Sequence, residues 1–120
     1  MKRTHFNDRP KLDGEHHKVS FESMPWESPA PGVRFKACEH NGSRLRLVEF
    51  TKDFIEPDWC VKGHIGYVLE GEIEVDFCGK AMVLFRAGDG LFIPPGSEHG
   101  HKARVQTDSV TLVLVEECGT

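Results

Sequence analysis

The clearest structural signal in the chain is a strict alternation of acidic and apolar residues in the stretch Gly71-Glu72-Ile73-Glu74-Val75-Asp76-Phe77. Side chains of a β-strand point alternately to its two faces, so this pattern predicts a strand with Ile73, Val75 and Phe77 facing a core. The three acids are then expected on the solvent-exposed face. The stretch therefore predicts a half-buried strand in the middle of the chain.

Similar short segments lie on both sides of this strand. The expected strands cover residues 33–38, 43–50, 81–85, 90–93, 99–105 and 110–115. Turn-forming residues separate them, as in Glu39-His40-Asn41-Gly42. No segment predicts a helix, and about eight short strands at near-even spacing are typical of an all-β antiparallel sandwich or barrel. We expect residues 1–32 to form an extended N-terminal arm and residues 33–120 to form the barrel.

Length and composition limit the size and the function of the protein. A chain of 120 residues forms one domain with a modest core, and 15 Lys and Arg against 19 Asp and Glu give a net charge of −4. Because no basic cluster is present, we expect no nucleic-acid partner and no membrane partner. The chain has no apolar run of the ~18 residues that span a bilayer. Because no apolar segment follows the charged residues at its start, we expect no secretory signal. We therefore expect a cytoplasmic protein whose four cysteines are reduced.

Two motifs resemble those of a known superfamily. The segment Gly88-Asp89-Gly90-Leu91-Phe92-Ile93-Pro94-Pro95-Gly96-Ser97-Glu98-His99 has the form G-x5-P-x-G-x2-H and matches the second motif of the cupin superfamily in full. The segment Gly66-Tyr67-Val68-Leu69-Glu70-Gly71-Glu72-Ile73 is similar to the end of the first cupin motif. The resemblance implies a small antiparallel jelly-roll barrel, or double-stranded β-helix, which commonly holds a divalent metal ion. One such barrel serves many chemistries, so the resemblance names no reaction.

The first motif departs from the usual cupin pattern, H-x-H-x3–4-E-x6-G, at its metal-binding positions. Counting back from Gly71 places His64 at the glutamate position, Cys60 at the second histidine and Asp58 at the first. With the histidine of the second motif, the resemblance implies a metal site formed by Asp58, Cys60, His64 and His99. Thiolate and imidazole ligands favour zinc, with iron or nickel as alternatives. If Cys60 only packs, the remaining two histidines and one carboxylate suit Fe(II).

A further histidine, His101, lies just after the second motif. If residues 99–105 form one strand, His101 shares a face with His99 and Val105. Because histidine titrates near neutral pH, we expect His101 to act as a general acid or base beside the metal. The alternatives are a replacement metal ligand and a partly exposed strand residue.

The sequence thus predicts a small metal-binding cupin that acts on an unidentified small polar molecule inside the barrel. Such an enzyme would use the metal as a Lewis acid or to activate water or dioxygen. A non-catalytic ligand-binding or sensing module is the alternative, and an oxidation-sensitive protein that depends on Cys60 is a third hypothesis. Because sheet edges need protection, we expect a homodimer through the N-terminal strands.

Overall fold

The computed structural model describes residues 17–117, which form two antiparallel sheets around one core. The strands are β1 (Glu27–Ala30), β2 (Val33–His40), β3 (Ser43–Thr51), β4 (His64–Glu70), β5 (Glu72–Asp76), β6 (Met82–Arg86), β7 (Gly90–Ile93), β8 (Lys102–Val105) and β9 (Ser109–Glu117). One sheet has the order β1-β2-β3-β9-β4-β7 and the other has the order β6-β5-β8. The helical elements of this part of the chain are two 3₁₀ turns, Phe21–Ser23 and Ser97–His99.

This architecture confirms the predicted all-β fold, a small antiparallel jelly-roll barrel. The alternating stretch becomes β5, in which Ile73 and Val75 are buried. Phe77, just beyond the strand, is half-buried. Val48, Val68 and Val110 lie on the neighbouring strands β3, β4 and β9 and are the most completely buried large side chains. The hydrophobic effect of burying these apolar groups holds the two sheets together.

The first strand comes from the segment that we expected to be an extended arm. β1 pairs with β2 at one edge of the six-stranded sheet, and all four of its residues are exposed. An edge suits Pro29, because proline cannot donate a hydrogen bond to a second neighbour. Residues 1–16 of the expected arm lie outside the described residues.

The hairpin between β2 and β3 forms at the predicted Asn-Gly pair. Asn41 and Gly42 both have positive φ angles, 50° and 80°, as the central residues of a type I′ turn require. The turn sets a register in which Ala37 lies opposite Arg46. In this register Arg44 and Arg46 line the interior cavity.

The strand expected at residues 99–105 begins later than predicted. Ser97–His99 form a 3₁₀ turn, in which the N–H of His99 donates to the carbonyl of Gly96 at 3.0 Å. β8 starts only at Lys102. The backbone therefore turns at His99, and His99 does not share one continuous strand with His101.

Two of the four cysteines agree with the expectation of reduced thiols. Cys60 and Cys78 are free thiols, and Cys118 lies outside the described residues. Within residues 17–117, no helix has the length and the apolar surface needed to cross a membrane.

Candidate metal centre

An isolated antiparallel bridge brings Cys60 and His101 together. The N–H of Cys60 donates to the carbonyl of His101 at 2.8 Å, and the N–H of His101 donates to the carbonyl of Cys60 at 3.0 Å. Residues directly opposite each other in an antiparallel pair project to the same side. The carboxylate of Glu56 holds the same loop by accepting the N–H of Ala103 at 2.9 Å. The loop before β4 is thus fixed to the start of β8 at the point where both side chains carry metal-binding atoms.

His64, the first residue of β4, completes a cluster with these two residues. Cys60 Sγ lies 3.8 Å from His64 Nε2, and the rings of His64 and His101 meet edge to face with centroids 5.3 Å apart. One ligand atom from each of Cys60, His64 and His101 lies within 4.8 Å of the other two. His101 is buried, with 4% of its surface exposed, and the other two are half-buried.

Hydrogen bonds determine which nitrogen of each imidazole is free to bind a metal. His64 Nδ1 lies 3.0 Å from Oε2 of Glu116, and His101 Nδ1 lies 3.0 Å from the carbonyl oxygen of His99. A carboxylate and a carbonyl can only accept, so Nδ1 is the donor in both rings, and Nε2 is the atom that each ring could offer to a metal. Histidine ligands of metals are usually held by such a second hydrogen bond.

Glu116, at the end of β9, is a buried carboxylate that links His64 to two arginines. Its Oε1 accepts from Arg44 Nη2 at 3.0 Å, and its Oε2 accepts from Arg46 Nη2 at 2.7 Å. Burial by itself raises the pKa of a carboxyl group. The hydrogen bonds from His64, Arg46 and Arg44 and the charge of Arg46 outweigh this, and lower the pKa of Glu116 to about 2. Glu116 is therefore ionised at neutral pH.

The cluster lies on the wall of a cavity of about 800 Å³ between the two sheets. Most of the lining is apolar and comes from both sheets, with Phe50, Ile73, Leu91 and Leu112 among the contributors. The polar lining includes Cys60, His64, His101, Arg44, Arg46 and Glu116. This volume is typical of a small-molecule site, since ligand pockets usually measure roughly 300–1,000 Å³.

The structure brings together two of the four expected ligands and adds a third. Cys60 and His64 are in the cluster, and His101 takes part beside them. Asp58 lies exposed in the loop before Cys60 and is not in the cluster found among the described residues. The His99 side chain is also outside it, and His99 contributes its backbone carbonyl to the orientation of His101.

The donors of this cluster suit zinc. Zinc bonds of 2.0–2.3 Å in a tetrahedron separate neighbouring ligand atoms by roughly 3.4–3.8 Å, and the distance from Cys60 Sγ to His64 Nε2 is 3.8 Å. One thiolate and two imidazoles are an ordinary ligand set for this ion. A tetrahedral ion held by these three residues would keep a fourth coordination position for another ligand.

Sequence reasoning missed Glu116, Arg44 and Arg46 as part of the site. For Glu116 the signal was present, because the buried positions Val110, Leu112 and Leu114 of β9 extend by alternation to residue 116. For the arginines no such signal was present. In the segment that forms β3, apolar residues occur at odd positions (Leu45, Leu47) and at even positions (Val48, Phe50), so alternation alone does not show which face of the strand is buried.

Comparison with known proteins identifies relatives and structural neighbours. Residues 61–116 match the family model described as the Cupin domain. The chain is 34% identical over 95 residues to the uncharacterized protein YdbB of Bacillus subtilis (strain 168), covering 71% of this chain and 81% of that protein.

Solved structures share the fold at low identity. An RmlC-like cupin from Shewanella frigidimarina NCIMB 400 has a TM-score of 0.66 and 20% identity, covering 87% of this chain and 92% of that chain. KdgF from Halomonas sp. has a TM-score of 0.62 and 22% identity, and the match covers 82% of this chain and 92% of the KdgF chain. HppE in its Fe(II) form has a TM-score of 0.64 and 17% identity, covering 88% of this chain and 62% of that longer chain. The matched domain, the relative and the shared jelly-roll fold show that this chain belongs to the cupin superfamily.

Proposed function

We propose that this cupin holds a divalent metal ion, zinc, at Cys60, His64 and His101 and acts on a small molecule inside the barrel. The observation that carries the proposal is the convergence of three ligand atoms, each within 4.8 Å of the others, on the wall of the interior cavity. Ligation by Asp58 and His99, which the cupin resemblance implied, stays a prediction. The three clustered residues are the set that the geometry favours.

Each residue around the cluster has a distinct part in the proposal. Cys60 supplies a thiolate, whose negative charge offsets part of the charge of a divalent ion. Glu116 and the carbonyl of His99 hold the two imidazoles with Nε2 free. When bound, the metal would polarise a carbonyl or carboxylate of the ligand or lower the pKa of a water molecule. The expected role of His101 as a general acid or base stays a prediction and is the alternative to ligation, because a bound metal would occupy the nitrogen that would otherwise exchange protons.

One argument favours an enzyme over a binding module. A tetrahedral ion held by three protein residues would keep a fourth coordination position for a water molecule or a substrate, which is typical of catalytic rather than structural zinc. The solved structure of HppE with Fe(II) supports a divalent metal in this fold and makes iron the second candidate. A non-catalytic ligand-binding or sensing cupin would use the same cavity without turnover.

Elemental analysis and cobalt substitution test the metal site. We expect one zinc ion per chain after purification from metal-replete medium, and a Co(II) form whose near-ultraviolet absorption includes a thiolate-to-metal charge-transfer band. Cys60→Ser removes the thiolate, so the band disappears and zinc affinity falls. Cys78→Ser is the matched control, because Cys78 is an exposed thiol outside the cluster. Wild-type protein without stoichiometric metal, or an unchanged band in Cys60→Ser, contradicts the proposal.

We also propose that the protein is a homodimer, and that the outer side of the six-stranded sheet forms the contact. Two neighbouring cross-strand rows on this side are apolar. They consist of Leu45, Val115, Ile65 and Phe92, and of Leu47, Val113 and Tyr67. Phe92 is 74% exposed, and Ile65 and Tyr67 are about half exposed. We call these seven residues the outer apolar face.

The surroundings of the outer apolar face fit contact with a second copy of this chain. Its rim is charged, with the Arg34–Glu49 ion pair and Glu70 on one side and Glu117 on the other. An apolar centre with a polar rim is typical of homodimer interfaces, and a two-fold axis places the same apolar rows against each other. The expected contact through the N-terminal strands stays a prediction, and those strands lie at one edge of this sheet.

Sedimentation velocity at micromolar concentration tests the dimer. We expect wild type to sediment at twice the chain mass and Phe92→Glu to sediment as a monomer, because the dimer would have to bury an unpaired carboxylate. Leu84→Glu is the control, since Leu84 is also partly exposed but lies on the three-stranded sheet. A monomeric wild type, or dissociation of the control to the same extent, would rule out this interface.

A further inference from the structure

We infer that the ligand of the cavity is a small organic acid, whose carboxylate lies against Arg44 and Arg46 and whose body is apolar. The inference rests on the proposed function in that it concerns the same cavity. The sequence predicts a small polar molecule in the barrel. The inference specifies that its polar group is a carboxylate and that the rest of the molecule is apolar.

The first observation is an excess of positive charge inside the barrel. Within residues 17–117, Arg44 and Arg46 form ion pairs only with Glu116, so two guanidinium groups share one carboxylate. Their side chains are 22% and 16% exposed and that of Glu116 is 6% exposed, so most of the surface of all three side chains is withdrawn from bulk solvent. Partly buried charge without a partner is costly, which favours an anion in the cavity.

The other charged groups of the lining do not cancel this excess. Glu56 is oriented by the N–H of Ala103 and forms no ion pair with either arginine. Lys62 and Glu117 line the cavity as exposed residues of opposite charge. The unbalanced charge therefore remains at the two arginines.

The second observation is a supply of unused donors. A guanidinium group has five N–H donors, and in the described part of the chain each of the two arginines makes one hydrogen bond, to Glu116. Both Nε atoms are buried without a partner. The remaining terminal N–H groups belong to side chains that line the cavity, and paired N–H groups match the two oxygens of a carboxylate.

The third observation is the apolar wall that makes up most of the rest of the cavity lining. Phe54, from the loop after β3, packs on Phe50 with ring centroids 4.6 Å apart, and both line the cavity with Ile73, Leu91 and Leu112. A polyol along this wall would leave hydroxyl groups without hydrogen-bond partners, which is unfavourable. An aromatic or branched aliphatic group can pack against this apolar wall, while a carboxylate accepts hydrogen bonds from the arginines.

Isothermal titration calorimetry with matched acids and amides tests the inference. The probes are benzoate, phenylacetate and isovalerate, their neutral amides, and acetate, which carries the carboxylate without a large apolar group. In chelator-treated protein we expect at least one of the larger acids to bind at least about tenfold more tightly than its amide, because hydrogen bonds to a charged group are lost. Acetate is expected to bind more weakly than that acid because it lacks the apolar body. Equal binding of acid and amide, or no binding of all three larger acids, overturns the inference.

A variant of Arg44 tests whether this arginine causes the preference for acids over amides. Arg44→Gln should lower the acid-to-amide affinity ratio by about tenfold, and this ratio is unaffected by a partial loss of folded protein. Arg34→Gln is the control, because Arg34 pairs with Glu49 and does not line the cavity. The same titrations on zinc-loaded protein separate the two proposals. Acid binding without zinc binding contradicts only the metal site, whereas zinc binding without a preference for acids contradicts only the ligand class.

Discussion

We expect His101→Ala to lose at least about 100-fold in zinc affinity. Zinc in small protein sites binds with roughly 10–16 kcal/mol shared among its ligands, so one lost ligand corresponds to about 3 kcal/mol, and each 1.4 kcal/mol is tenfold. The His101 side chain belongs to the cluster of ligand atoms, and its Nδ1–H is already committed to the carbonyl of His99. Competition titration against a zinc-binding dye measures the change.

His99→Ala is the most informative control for that measurement. It removes the histidine that the second cupin motif places at the metal, but it keeps the backbone carbonyl that orients His101. We expect its zinc affinity to stay within about threefold of wild type, since backbone geometry and all three clustered side chains remain. Asp58→Asn should behave in the same way because Asp58 is exposed and outside the cluster. If His99→Ala lost zinc while His101→Ala kept it, the motif-derived ligand set would be the correct one.

The second large effect is expected at Glu116, which connects the metal-binding cluster to the arginines. Glu116→Gln leaves two partly buried guanidinium groups without a negative partner, and breaking such a network costs about 3–5 kcal/mol. It also weakens the hold on His64 Nδ1, so zinc affinity should fall about 10- to 100-fold. Urea unfolding of metal-free protein and the zinc titration measure the two effects. Glu22→Gln is the control, because Glu22 is exposed and does not line the cavity.

The same carboxylate predicts how stability depends on pH. The pKa of Glu116 is about 2 in the folded protein against an ordinary value of 4.5 for this side chain, so folding favours its ionised form. Its contribution, about 3 kcal/mol from this difference, is complete above pH 4.5 and is lost as the pH falls towards 2. The gap in unfolding free energy between wild type and Glu116→Gln should therefore narrow over that range. A gap that stays constant from pH 6 to pH 2.5 would show that the charge of Glu116 does not stabilise the fold.

Several elements of the fold could be predicted because their causes are local. The alternation of residues 71–77 specifies a strand with one buried face, and β5 has that face. Asn41-Gly42 specifies a tight turn, because both residues accept the positive φ angles that a type I′ turn needs. Position counting within the first motif led to Cys60 and His64, which lie four residues apart and meet across a short loop and the start of β4.

Other parts of the site depend on contacts between distant segments. Cys60 pairs with His101 across the barrel, and this bridge decides which histidine reaches the thiol. Alternation counted back from the buried Val105 puts both His101 and His99 on the inner face, and the second motif points to His99. The 3₁₀ turn at Ser97–His99 interrupts this alternation, and of the two side chains only that of His101 lies in the cluster. The sequence alone does not choose between the two histidines.

The amino-acid sequence by itself determined that this protein is a small all-β barrel of the cupin type with candidate metal ligands near its two motifs. Alternation, turn residues and motif spacing carry that information because each acts over a few neighbouring positions. Only the tertiary structure decided that His101 joins the cluster, that Glu116 orients His64 and that Arg44 and Arg46 line the cavity. The reason is physical: the strand register between β2, β3 and β9, and the bridge between Cys60 and His101, arise from pairing of segments far apart in the chain.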